Sequence, residues 1–237
     1  MEAWQTVVAL TLMAGMAMPL GAWLARVECI AIDWLENELR HGIIALGGGA
    51  LLSAVALVLV PDSLSAISPF AATACFVAGG LAFMALDIAL NRSGTSASQL
   101  AAMLSDFVPE ALALGAIFAT DNPGSLLLAG LMALQNLPEG FNAYHELRSS
   151  TTYSSRRLIG LFLLAACLGP IAGLSGLLWL AHYPSAVAMI MLFAAGGILY
   201  SVFQDLAPQA KLARHWGPPL GAVMGFALGI AAHMLMP

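Results

Sequence analysis

The sequence predicts an all-α fold, a polytopic membrane protein of eight transmembrane helices, and three observations carry that prediction. Sixty per cent of the 237 residues are hydrophobic and 9% are charged, whereas a soluble domain carries roughly 25% charged residues. Eight apolar runs, each near the ~20 residues that cross a bilayer, are separated by short connections rich in polar residues, proline or glycine. Every lysine and arginine falls in alternate connections.

The runs lie at about 4–25, 42–61, 69–90, 100–120, 124–147, 158–182, 184–206 and 217–236, in one transmembrane domain covering 1–237. The first follows Glu2 with no basic cluster ahead of it, which argues for a retained helix over a cleaved signal peptide. Between the first two runs, Val27–Glu38 is amphipathic, with Ile30, Ile32, Trp34 and Leu35 among Glu28, Asp33, Glu36 and Glu38. It reads either as a short interfacial helix or as a solvated linker with apolar anchors. The later runs are punctuated by Pro61-Asp62-Ser63, Asn91-Arg92-Ser93-Gly94, Thr120-Asp121-Asn122-Pro123-Gly124, His182-Tyr183-Pro184 and Trp216-Gly217-Pro218-Pro219, all turn and breaker signals. The 91–99 stretch is a flexible polar linker without histidine.

Charge gives the orientation. Arg26 and Arg40 lie between helices 1 and 2, Arg92 between 3 and 4, Arg148, Arg156 and Arg157 between 5 and 6, and Lys211 and Arg214 between 7 and 8. Basic loops stay cytoplasmic, so both termini are expected outside the cytoplasm, in a bacterial inner membrane. Cys29, Cys75 and Cys167 have no CxxC spacing, so neither a disulfide framework nor a thiolate metal cluster is indicated.

A weak internal repeat is visible. Helix 2 reads Gly48-Gly49-Ala50-Leu51-Leu52-Ser53-Ala54-Val55, and helix 7 reads Gly196-Gly197-Ile198-Leu199-Tyr200-Ser201-Val202. Each runs on into an acidic, proline-bearing exit, Pro61-Asp62 in one and Asp205 with Pro208 in the other. The charge rule gives these helices opposite directions, so the repeat would be inverted, relating helices 1–3 to 6–8 about a central pair. Small residues also recur in any packed membrane helix.

The central pair carries the chemistry. Helix 4 holds Asp106-Phe107-Val108-Pro109-Glu110-Ala111 and helix 5 holds Gln135-Asn136-Leu137-Pro138-Glu139-Gly140. Both glutamates fall near mid-span, and the short connection makes the helices neighbours, so the carboxylates can share one layer. Asp106 and Glu110 are four apart, as are Gln135 and Glu139, so each pair lies on one helix face, with Asn136 at the edge. Pro109 supplies no N–H to the carbonyl of Ser105, and Pro138 none to that of Leu134. A carbonyl without its helical partner is tolerated at membrane depth where it lines a cavity, and it can then act as a ligand. Ionisable residues at this depth mark functional sites by default. Carboxylate, amide and carbonyl oxygens together suit a hard or borderline divalent metal. The alternative is that these polar groups only lock the two helices together.

These residues resemble the ZIP (Zrt-/Irt-like) family of metal-ion transporters, whose central helices each bear a (His/Asp)-Asn-x-Pro-Glu-Gly-type step. Gln135–Gly140 differs from that step at one position, and the Gly-Gly-Gly-Ala-Leu-Leu-Ser-Ala-Val run of helix 2, followed by Pro-Asp, is similar as well. The resemblance implies a 3+2+3 helix order and transport of zinc, iron, manganese or similar divalent ions toward the cytoplasm. It also implies an elevator-like motion of one helix block past another. The ion is substrate, the bilayer and a second copy of the chain (a homodimer) are the partners open to it, and no other cofactor or nucleic acid is expected. The metal residues carried over are Asp106, Glu110, Gln135, Asn136 and Glu139. Phe107 stands where the family has asparagine, Ala111 replaces a glycine, and Cys167-Leu168-Gly169-Pro170 lacks the helix 6 glutamate of many members. Both imidazoles are missing, which removes the ligand best suited to zinc and favours Mn²⁺, Fe²⁺ or a broader range, or else weaker binding and loss of transport.

His145 and Glu146, beyond Glu139, read as an exit station for the ion or as an interfacial salt bridge with Arg148. Asp87 is expected to pair with Arg92 or to snorkel. Asp62, Asp121 and Asp205 read as residues of helix ends, the first two near an outer entrance. His182, His215 and His233 are isolated, and the methionines read as core filling. With no nucleophile–base pair or phosphate loop, an enzyme is not expected. The competing reading is a degenerate ZIP-like membrane protein with a binding or regulatory role.

Overall fold

The computed structural model describes residues 2–27, 33–93, 98–119, 124–211 and 216–235. Among these, all regular structure is helical. We number the long helical segments in chain order. α1 is Ala3–Val27. α2 is Asp33–Ala54, prolonged by a π turn, Val55–Leu59, and a last turn, Val60–Ser63. α3 is Pro69–Ser93, α4 is Ser98–Phe118 and α5 is Gly124–Ser150. α6 is Ser155–Ala166 with Leu168–Leu178, interrupted at Cys167. α7 is Pro184–Ser201, a π turn Val202–Leu206 and Ala207–Gln209, and α8 is Gly217–Leu235.

Six of these are long and apolar enough to cross a membrane: α1, α2 from Glu38, α3 to Leu90, α6, α7 and α8. The two outside that set, α4 and α5, are the helices that carry the Pro-Glu steps. Several boundaries differ from expectation, three of them in an instructive way. α2 begins at Asp33, so the second half of the amphipathic 27–38 segment is the first turn of the long helix, while 28–32 lie outside the described residues. α7 continues to Gln209, three residues beyond the predicted end, because its π turn carries the helix into Pro208. Helix α3 likewise runs through Ser93, and the linker residues 94–97 fall outside the described set.

The two π turns have one cause. In each, the N–H closing the turn reaches back five residues, Val60 to the Val55 carbonyl and Ala207 to the Val202 carbonyl. Each turn ends two residues before a proline, Pro61 or Pro208. Proline has no N–H to give and its ring crowds the carbonyl four residues back; widening the preceding turn relieves that crowding.

Packing follows a single rule used four times. α1 packs chiefly on α5, α4 on α6, α2 on α8 and α3 on α7. In every pair one glycine from each helix faces the carbonyl three residues before the other's glycine. Gly21 meets Leu137 while Gly140 meets Met18, and Gly115 meets Gly173 while Gly176 meets Leu112. Gly49 meets Ala222 while Gly225 meets Leu46, and Gly79 meets Phe193 while Gly196 meets Phe76. A methyl at any of the eight would overlap the facing backbone. Without a side chain the helices approach closely enough for Cα–H···O contacts, the usual way small residues hold membrane helices together. The central helices sit inside this frame, α5 against α1 and α2, with the ring of Pro138 seated over Gly47. α3 and α8 are the least buried of the apolar helices, their outer faces fit for hydrocarbon.

Candidate functional site

Both central helices stay α-helical through Pro109 and Pro138, so the four-residue spacing keeps each polar pair on one face. Glu110 and Gln135 are fully buried, and Gln135 Nε2 donates to Glu110 Oε2 at 2.6 Å. Asp106, 7% exposed, lies one turn before Glu110, and Glu139, partly buried, one turn after Gln135. Four oxygens of this group are buried without a hydrogen-bond donor: Asp106 Oδ1, Glu110 Oε1, Gln135 Oε1 and Glu139 Oε2. A buried oxygen left unpaired costs on the order of 1–3 kcal/mol, more if charged. Four on two adjoining helices form a set of acceptors that protons, water or a cation can satisfy.

The arrangement is open in form. Among the described residues, no three His, Cys, Asp or Glu side chains converge on one metal position. Glu110 already commits one oxygen to the Gln135 amide, so an ion here would draw on the amide oxygen of Gln135 together with the carboxylates. Asn136 takes a different part from its neighbours. Its Nδ2 donates 2.9 Å to the carbonyl of Ala14 in α1, so the amide pins α5 to α1.

A cavity of about 60 Å³ opens beside the group, lined by Asp106 and Met103 of α4, Glu139, Asn142 and Ala143 of α5, and Ser201, Asp205, Leu206 and Gln209 of α7. Four of these polar residues, Asn142, Ser201, Asp205 and Gln209, are not among the site residues expected from the sequence. Asn142 is three residues after Glu139, on the same face. Ser201, Asp205 and Gln209 recur every four residues in an apolar helix, a stripe that is legible once α7 is known to reach Gln209. Asp205 had been read as a residue of a helix end; it is half-buried on the cavity wall, within electrostatic range of Asp106. One end of the cavity is tied across three helices. Asn142 Nδ2 donates 2.6 Å to Gln209 Oε1, and Arg40 of α2 donates 3.5 Å to Asn142 Oδ1.

Phe107 is fully buried, its ring tip fitted against Gly15 of α1 and Gly169 of α6, where an added Cβ would stand 2.9 and 2.6 Å from Cζ. The aromatic ring of Phe107 in α4 and the glycine at 169 in α6 therefore belong to one packing contact. Neither His145 nor Glu146 lines the cavity. The His145 ring lies edgewise to Phe141 and Tyr144, at 5.0 and 6.0 Å between centroids, and Arg148 donates to the Tyr153 carbonyl at 3.3 Å. Asp87 accepts a 3.0 Å bond from Tyr200 Oη, which joins α3 to α7. Asp121 and His215 lie outside the described residues. No protein-family model matches the chain, and no curated protein matches it significantly.

Proposed function

We propose that the protein carries a divalent metal ion across a membrane toward the cytoplasm, through the oxygen-rich group of Asp106, Glu110, Gln135 and Glu139. The observation that carries this reading is the set of four buried, unpartnered oxygens on two adjoining proline-bearing helices, next to a polar cavity. Groups whose only task was to lock helices together would be spent on hydrogen bonds, as the Asn136 amide N–H is on the Ala14 carbonyl of α1. A donor set of carboxylate and amide oxygens favours Mn²⁺ or Fe²⁺ over a strict preference for zinc.

The protein is, on this reading, a ZIP-like carrier with eight spans, both termini outside the cytoplasm, in a bacterial inner membrane. Two features support an inverted repeat relating α1–α3 to α6–α8 and α4 to α5. Exchanging those partners turns the α1–α5 contact into α6–α4 and the α2–α8 contact into α7–α3, and the glycine pairs obey the same exchange. The π turns of α2 and α7 also correspond, each two residues ahead of its proline.

One observation favours a second reading, a binding or regulatory membrane protein without transport: no three His, Cys, Asp or Glu side chains converge on one position among the described residues. Purified protein in liposomes loaded with a metal-sensitive dye separates the two. Entry of Mn²⁺, Fe²⁺, Zn²⁺ or Cd²⁺ that is abolished by Glu110→Gln supports transport. Failure of all of them to enter, with the protein correctly inserted, hands the case to the second reading.

A further inference from the structure

We propose that the groove between α2, α7 and α8 binds one anionic glycerophospholipid, an acyl chain lying in the groove and the phosphate-bearing headgroup on Lys211. The groove encloses about 540 Å³, within the 300–1,000 Å³ of ordinary ligand pockets. Leu52, Phe203 and Pro219 are typical of its walls, and Lys211 is the one charged residue among the described residues lining it. All three helices belong to the set long and apolar enough to cross a membrane. A groove between such helices meets hydrocarbon, and the apolar material at hand is an acyl chain.

The charge at the mouth selects the headgroup. Lys211 and the exposed Trp216 both line the groove at the connection between α7 and α8. An aromatic ring beside a cation is the usual furniture of the membrane–water interface, and a lysine there attracts anionic lipid. A neutral lipid would fill the groove equally well but would bring no net negative charge to Lys211. Leu206 lines both this groove and the polar cavity, so the lipid would lie one side chain away from the acidic group.

The test counts co-purifying lipid and does not depend on metal transport. Full-length protein is equilibrated in mixed phosphatidylcholine and phosphatidylglycerol vesicles, extracted, and its retained lipid identified by mass spectrometry. Wild type is expected to retain phosphatidylglycerol roughly fivefold over its share of the mixture. Lys211→Gln should bring retention to parity and Lys211→Arg should keep the preference. Gly48→Leu enters the groove without backbone conflict, because a Cβ there meets only side-chain atoms of Leu206 and Val202, at 3.7 Å or more; it should release the lipid. Equal retention of both lipids by wild type, or unchanged phosphatidylglycerol on the Gly48→Leu protein, would overturn the proposal.

Discussion

The acidic group of this protein divides into two neighbourhoods alike in composition and unlike in access. Glu110 and Gln135 are sealed: neither has measurable exposure, and each spends one polar atom on the other. Asp106, Glu139 and Asp205 stand around a cavity, with Ser201, Asn142 and Gln209 completing the wall. Removing one partner of a sealed polar pair leaves a buried group with no water to replace it, whereas a cavity wall can rehydrate. The sealed pair is therefore the demanding element of the site and the cavity wall the forgiving one. An ion arriving from the cavity would meet Asp106 and Glu139 first and would have to displace the Gln135 amide to take both oxygens of Glu110.

The largest effect should come from breaking the sealed pair. Glu110→Ala removes a carboxylate and orphans Gln135 Nε2, so metal uptake in proteoliposomes should fall by more than the 10–100-fold that changes behind a metal ligand typically cost. Glu110→Gln keeps an acceptor for Gln135 and should insert normally while still failing to take up metal. If Glu110→Gln transports like wild type, the sealed pair is structural and the contrast collapses. On the open side, Asp106→Asn should lower uptake by about tenfold, since the remaining oxygens and water can partly substitute. Initial rates against metal concentration would separate weaker binding from slower turnover.

A packing test bears on what does the sealing. Gly115→Val would press a branched side chain into the carbonyl of Gly173, and overpacking costs about 1–3 kcal/mol. Gly130→Ala, where nothing lies within 4 Å of the added methyl, should instead gain up to ~1 kcal/mol of helix propensity. Thermal melts in detergent should move in opposite directions for the two.

The two neighbourhoods were also unequally legible in the sequence. Asp106, Glu110, Gln135 and Glu139 could be read because spacing of four residues on a continuous helix translates directly into a shared face. The α7 wall could not. Its stripe of Ser201, Asp205 and Gln209 crosses a π turn and ends beyond the predicted helix, so Asp205 read as a residue of a helix end. Asn136 has a tie that was illegible for another reason: the acceptor of its amide N–H, the Ala14 carbonyl, lies 122 residues away, and no local pattern announces a backbone acceptor on another helix. Phe107 and Gly169 form one close contact between distant positions, which neither announces alone.

The smallest expected effect concerns the tie across the cavity. Asn142 donates to Gln209 and accepts from Arg40, so Asn142→Ala removes both bonds, a loss of about 1 kcal/mol for a partly exposed pair. If the tie only braces α5 against α7, the melting temperature drops slightly and uptake is unchanged. If it closes the cavity during the transport cycle, releasing it should raise turnover by up to about fivefold, the rate equivalent of that 1 kcal/mol, with little change in apparent metal affinity. Gln209→Glu offers the converse: it keeps an acceptor for Asn142, adds a charge to the cavity wall, and should strengthen apparent affinity without speeding turnover. These distinct responses of the two variants, read from the concentration dependence of uptake, would show that the open neighbourhood sets both the rate and the apparent affinity, independently of the sealed pair.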